Sequence, residues 1–372
     1  MFPRLTPDRA SPTTDAVTPS PLDSPETYDR LDPSGLYGRI AGLPDQVRQA
    51  WDAASALALP EGYAGLRRVA VLGMGGSAIG GSLLRALAIE LGSATPVEVV
   101  RGYRLPGHID QRTLAIASSA SGNTEEVLSL AQQALDRGAR TMAITTGGRL
   151  LDLARQHDLP AIVYEWQGEP RSALGWSFAT LLAITGRLGL LPDVSPGLAG
   201  ALGHMRALVE AAGQDVPEAS NPAKQLARRL NGKLPVIVGA DALAPVAYRW
   251  VTQTNENAKS WGVALELPEM NHNAPLGYGA PVALLPLLHV VLLRQQSVHP
   301  RIARRIDLTP DQLTAAGVAV EVLDVPGASA LEEVLWGVQF GDFASYYLGL
   351  LNGADPSEVR ALDWLKDRMS RG

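Results

Sequence analysis

The chain has 372 residues, 46 % of them hydrophobic, with a formal net charge of -6 and no cysteine. That length accommodates two domains, each with a sizeable core. The acidic balance, without a basic stripe, argues against nucleic acid or a membrane surface as partner. The lack of cysteine excludes disulfides and thiolate metal sites, and it suits a cytoplasmic location.

Residues 1–30 read as a disordered leader, because the first 28 carry six prolines among Ser, Thr and Asp and no apolar signal-peptide core. Residues 31–65 read as an N-terminal packing helix, with Ile40, Leu43, Val47 and Trp51 on one stripe. A first α/β domain is expected over 66–215. It opens with a strand at 68–73 that runs into GMGGSAIGG (73–81), followed by a helix at 82–91 and a strand at 97–100. A strand at 114–117 then turns through SSASGNT (118–124) into a helix. Val127, Leu128, Ala131, Ala134 and Leu135 make that helix's apolar face, Asn123 or Thr124 suits its cap, and Gly138 its end. Further elements are a strand at 140–145, helices at 150–157 and 173–190, and a strand at 161–164.

The remainder, 216–372, repeats the plan. It has a strand at 234–239, a helix at 245–259, a strand at 318–325, and helices at 331–351 and 357–369. The apolar run at 282–293 is too short to span a bilayer and reads as a buried strand or helix. Strands alternating with helices predict parallel sheets covered on both faces. The loops after Leu72 and Ala117 leave strand C-terminal ends, where open α/β sheets bind ligands.

The chemistry of these loops is specific. A helix N-terminus attracts anions, and Ser119, Ser121 and Thr124 add neutral donors around one with no Lys or Arg among them. That set suits a phosphomonoester. The Gly73–Ala78 stretch also fits a G-x-G-x-x-A dinucleotide fingerprint, with Glu98 at the spacing of a ribose-binding carboxylate. A nicotinamide-dependent oxidoreductase therefore stays open, as does a plain packing turn. Glu256, beside Val246, Trp250 and Val251, has the surroundings of a general base, although a solvated glutamate is the ordinary alternative. Arg171 stands at a helix start, where a cation opposes the helix dipole, so it is expected to face an anion. No histidine pair has metal-ligand spacing, so no metal is expected.

Six segments occur in order: GMGGSAIGG (73–81), SASGNT (119–124), PRSALGW (170–176), NENAK (255–259), EMNHN (269–273) and DPSEVRALDWLK (355–366). Together they resemble the bifunctional phosphoglucose/phosphomannose isomerase family of the sugar isomerase (SIS) superfamily. The resemblance implies an α/β fold of two SIS domains, each a parallel sheet flanked by helices, in a homodimer with the active site at the subunit interface. It implies cofactor-free interconversion of glucose 6-phosphate or mannose 6-phosphate with fructose 6-phosphate. By the same resemblance Gly75, Gly76, Ser77, Ser119, Ser121 and Thr124 would hold the phosphate, and Glu256 would shuttle the proton. Arg171 would stabilise the enediolate, His272 from the partner subunit would assist ring opening, and Lys366 would act at the ring oxygen. Ala78, Ala120 and Ala274 depart from the family pattern, which expects Gly, Tyr and Glu there. Ala274, next to His272, leaves a non-catalytic sugar-phosphate-binding protein as a second reading.

Overall fold

The computed structural model describes residues 20–369. The expected disorder of 1–19 lies outside the described residues, but residues 20–30 of the same stretch are ordered. Leu22 is fully buried, and the buried Lys224 ammonium donates to Leu22 O at 2.5 Å and to Gln214 O at 2.8 Å. A burial of that kind outweighs the Pro-rich composition that predicted disorder. That stretch forms α1 (Pro25–Leu31), and the single helix expected next is two, α2 (Leu36–Ala41) and α3 (Leu43–Ala56). Pro44 has no N–H to give Ile40 O, so α2 cannot run on into α3. That carbonyl accepts instead from Gln339 Nε2 at 3.1 Å.

The first sheet begins with β1 (Arg68–Gly73), buried at all positions but the first. The helix that follows, α4 (Gly75–Glu90), starts inside the glycine run and not after it as expected. Packing explains the glycines. A Cβ on Gly81 would lie 2.8 Å from the Val71 side chain, and one on Gly80 would lie 2.9 Å from Ser177 Oγ. Close contact between α4 and its neighbours thus overrides the low helix propensity of glycine. Next come β2 (Val97–Val100), β3 (Thr113–Ser119), α5 (Glu125–Asp136), β4 (Arg140–Thr145), α6 (Gly148–Gln156), β5 (Ala161–Val163), α7 (Leu174–Arg187) and α8 (Ser195–Ala212). The strands are parallel in the order β2-β1-β3-β4-β5. In α5 the core face is Val127, Leu130, Ala131 and Ala134, while Leu128 and Leu135 are only partly buried.

The second half holds α9 (Pro222–Leu230), β6 (Leu234–Ala240), α10 (Ala244–Asn257), β7 (Val263–Leu267), α11 (Met270–Asn273), β8 (Leu288–Arg294), α12 (Pro300–Ala315), β9 (Ala319–Asp324), α13 (Ala330–Leu351) and α14 (Arg360–Met369). Its parallel sheet runs β7-β6-β8-β9, the same plan as β2-β1-β3-β4. The run at 282–293 corrects the expectation of one buried element. Val282–Leu287 is an exposed 3-10 turn, with Val282 73 % exposed, and only β8 is core. The last helix starts at Arg360 and buries none of its residues.

The halves are joined by α13, which packs on α8, α9 and α10 and is buried on nearly all sides. Its Gly341 is required, because a Cβ there would fall 2.1 Å from the Trp250 ring nitrogen. Beside it Asp342 receives a two-pronged bond from Arg249, Nε at 3.0 Å and Nη2 at 2.7 Å. Burial raises the Asp342 carboxyl, and Arg249 works against that shift. Among the described residues no helix is long and apolar enough to cross a membrane.

In the second sheet Glu321 on β9 meets His289 Nε2 at 2.7 Å and Arg229 Nη2 at 2.7 Å. Burial pushes its carboxyl up, but these two partners outweigh burial and bring it down to about 2 from 4.5. The folded value is the lower one, so the unfolded chain binds this proton more readily. The stability Glu321 contributes is therefore complete above its unfolded value and is lost as pH falls toward about 2. Denaturant titrations from pH 7 downward should show Glu321→Gln less stable than the wild type at neutrality. The difference should shrink through the acid range.

Candidate functional site

The register of the first sheet brings the two candidate loops together. Gly73, the last residue of β1, pairs with Ser118 of β3, so both chains leave the sheet side by side at its C-terminal end. In the loop after β3, Ser119 Oγ and Thr124 Oγ1 are 2.9 Å apart, the Gly122 N–H donates to Ser119 Oγ at 3.1 Å, and the Asn123 N–H donates to Ser121 Oγ at 3.2 Å. Gly122 has φ +66, and a Cβ on it would fall 1.8 Å from Gly147 O, so only glycine closes this turn. Thr124 occupies the cap position of α5, but neither it nor Asn123 caps the helix. Asn123 accepts the Arg149 N–H instead, at 3.2 Å. The start of α4 also lacks a capping side chain. Two uncapped helix N-termini and their hydroxyls thus face one region, an arrangement that binds a compact anion.

The glycine loop supports a third element. Gly76 lies against Arg171, where a Cβ would come 2.9 Å from the Arg171 Cα. Arg171 sits in the 3-10 turn Pro170–Ala173 and is 4 % exposed. Its Nη1 donates to Glu256 Oε2 at 3.2 Å, Nε to Asn257 Oδ1 at 2.9 Å, and Nη2 to Pro356 O at 2.6 Å. Burial pulls this guanidinium down, and the carboxylates of Glu256 and Glu169 push it back up. Arg249 Nη2 donates to Arg171 O at 3.2 Å, so the buried Arg249–Asp342 pair anchors the backbone of the same residue. Lys259, at φ +53, places its ammonium 3.1 Å from Pro356 O. Burial and the nearby Arg171 lower it.

Glu256 therefore faces a guanidinium and not the apolar wall that the sequence suggested, with about a third (32 %) of its side chain open to solvent. A partly open carboxylate beside a buried cation can exchange a proton with a bound carbon acid while the cation stabilises the resulting oxyanion. The structure brings together Gly75, Gly76, Ser77, Arg171 and Glu256 on one side and Ser119, Ser121 and Thr124 on the other. Among the described residues no hydrogen bond or ion pair ties the side chain of His272 or Lys366 to this group. His272 is exposed on the short helix α11, and Lys366 is on the fully exposed α14. Asn257 and Lys259 were visible in the sequence only as members of NENAK, and Arg249 gave no signal between Tyr248 and Trp250.

The geometry lends the dinucleotide alternative little support. Of that motif's glycines, Gly73 packs on the backbone of Ser77 and Ala78 and Gly76 on that of Arg171, Gly75 has open space beside it, and Glu98 meets His108 Nε2 at 2.6 Å. Ala78 is fully buried and Ala120 nearly so, whereas Ala274 opens the exposed turn after α11.

A profile described as the bacterial phospho-glucose isomerase C-terminal SIS domain matches residues 219–369, and an SIS domain profile matches residues 63–160. The chain is 36 % identical over 336 residues to a bifunctional phosphoglucose/phosphomannose isomerase of Caldicellulosiruptor bescii, covering 90 % of this chain and 99 % of that one. It is 30 % identical to the Aquifex aeolicus protein of the same name, covering 80 % and 89 %. A hypothetical protein of Thermus thermophilus has the same fold, with a TM-score of 0.72 at 19 % identity and 93 % of each chain covered. The chain is thus two SIS domains, and it belongs to the bifunctional phosphoglucose/phosphomannose isomerase family.

Proposed function

We propose that this protein interconverts glucose 6-phosphate and mannose 6-phosphate with fructose 6-phosphate by proton transfer through a cis-enediol. The observation that carries the reading is the Arg171–Glu256 contact of 3.2 Å beside the glycine turn. The aldose and ketose differ by one proton moved between adjacent carbons and one between oxygens. The chemistry therefore asks for one base that takes and returns a proton and one cation beside the developing oxyanion. Glu256 is the base and Arg171 the cation. The phosphate rests on Ser77, Ser119, Ser121 and Thr124 and on the backbone of Gly75 and Gly76. No redox cofactor or metal enters the scheme.

Ring opening falls to His272 and Lys366. His272 is exposed and is followed by a run of exposed apolar residues, Leu276 at 95 % and Val282, Leu284 and Leu287 beyond it. A patch of that kind supports burial against a second copy. We therefore place His272 at a homodimer interface, reaching the partner's site. Without cysteine and with this substrate, the working compartment is the cytoplasm.

The deciding measurement follows fructose 6-phosphate by NMR in deuterated buffer with a chelator present. Both aldose 6-phosphates should form with deuterium at C2, and binding without turnover would instead favour a sugar-phosphate sensor. Glu256→Gln should cut kcat by roughly a hundredfold or more while substrate still binds. Gly122→Ala should raise KM for fructose 6-phosphate by about tenfold or more, because the phosphate loop cannot close around the added methyl. A G122A variant with unchanged KM would remove that loop from the site.

A further inference from the structure

The turn that carries Arg171 is held from outside by a second arginine. Arg39, on α2, sends Nε to Glu169 Oε2 at 3.1 Å and Nη2 to Glu169 Oε1 at 3.0 Å and Oε2 at 2.9 Å. Both side chains are largely buried, at 15 % and 10 % exposure. Arg39 Nη1 donates to Ser34 O at 2.6 Å and Nη2 to Ser34 Oγ at 3.0 Å. Ser34 Oγ in turn meets Ser357 Oγ, next to the Pro356 carbonyl that Arg171 and Lys259 share. Gly168 leaves room for this arrangement, since a Cβ there would fall 2.6 Å from Arg39 Cδ. Glu169 is fixed at its backbone as well. Its carbonyl accepts Ser172 N at 2.9 Å and Ser172 Oγ at 2.7 Å.

Two carboxylates therefore compete for Arg171. Glu256 holds it through a contact of 3.2 Å, and Glu169 lies two residues away in sequence within its electrostatic reach. Burial pushes Glu169 up, but the Ser357 hydrogen bond and the charges of Arg39 and Arg171 bring it below its usual range. A buried carboxylate needs a cation. While Arg39 supplies it bidentately, Arg171 is left for Glu256 and for the substrate.

We propose that Arg39 is a positioning residue for the isomerase site, keeping Glu169 occupied so that Arg171 stays aimed at Glu256. Neither Arg39 nor Glu169 lies within the stretches matched by the two domain profiles. The inference rests on the isomerase reading above. Without Arg39, Glu169 draws the guanidinium off the base, and the oxyanion loses its cation at the moment charge develops. The phosphate donors Ser119, Ser121 and Thr124 lie on the opposite loop and are left in place.

The test compares wild type, Arg39→Met, Glu169→Gln and the double variant, using fructose 6-phosphate turnover and gel filtration to confirm folding. Arg39→Met should lower kcat by roughly tenfold or more with KM within about threefold. Glu169→Gln alone should stay within about threefold of wild type, and adding it to Arg39→Met should restore kcat to that range. A merely structural ion pair would move thermal stability and the folded fraction in this pattern, but would leave kcat per folded enzyme unchanged. An Arg39→Met enzyme with normal kcat, or a double variant no better than the single, overturns the inference. Should Arg39→Met not fold, Arg39→Gln carries the test, with the same expected loss of kcat and the same rescue by Glu169→Gln, and the absence of either overturns the inference. A wild type without turnover removes the isomerase reading and this inference with it, whereas an active wild type with an unaffected Arg39→Met removes the inference alone.

Discussion

A single guanidinium, almost wholly removed from water, fixes the geometry on which the rest of this site depends. Arg171 binds Glu256, Asn257 and the Pro356 carbonyl at once. Those three acceptors come from the C-terminal end of α10 and from the turn after α13, while Arg171 itself belongs to the turn before α7. An isolated buried cation is costly, so the three segments must converge for the charge to be tolerated. The same requirement places an acid–base group and an electrophile within bonding distance. Structural satisfaction and chemical readiness are one arrangement here.

The two sheets share a plan but divide the work. In the first, the strand C-terminal end supplies the loops proposed to hold the phosphate, the place where open α/β sheets bind ligands. In the second, the corresponding helix α10 leaves the sheet and delivers Glu256 from its far end. The site is therefore made from the front of one domain and the back of a helix of the other. Helix α13 packs on α10 through Trp250, Arg249 and Gly341 and reaches the first half through the Tyr347 hydroxyl, which donates to Ala212 O at 2.6 Å, and it is buried on nearly every side.

Much of this was legible in the amino-acid order. Central strands such as 68–73 and 140–145 are apolar runs bounded by polar or glycine residues, and the loops after them carry hydroxyls. What resisted reading was whatever depends on distant partners. Edge strand β7 is half exposed and shows no continuous apolar run. The stripe of Leu362, Leu365 and Met369 on α14 has the spacing of a core helix, yet nothing within the described residues buries it. Glu256 follows the apolar helix face of Val246, Trp250 and Val251 in sequence, but its electrostatic partner is 85 residues away, and Arg39 reaches Glu169 across 130. Periodicity reports which face of an element is dry. It carries no information on which charge stands opposite.

The placement of the N-terminal helices has a consequence for the order in which the molecule is made. Ser34 meets Ser357, Ile40 O meets Gln339, and Asp32 meets the Tyr346 hydroxyl, contacts separated by 323, 299 and 314 residues. A ribosome releases the early helices long before α13 emerges. During synthesis α1 and α2 must wait with their inner faces uncovered, while the first sheet, built from neighbouring segments, can already close. The segment that braces Arg171 thus finds its second support only when the last long helix arrives. The pair proposed for catalysis, Arg171 and Glu256, therefore gains its full set of neighbours only after the C-terminal segment that carries Pro356 has been made.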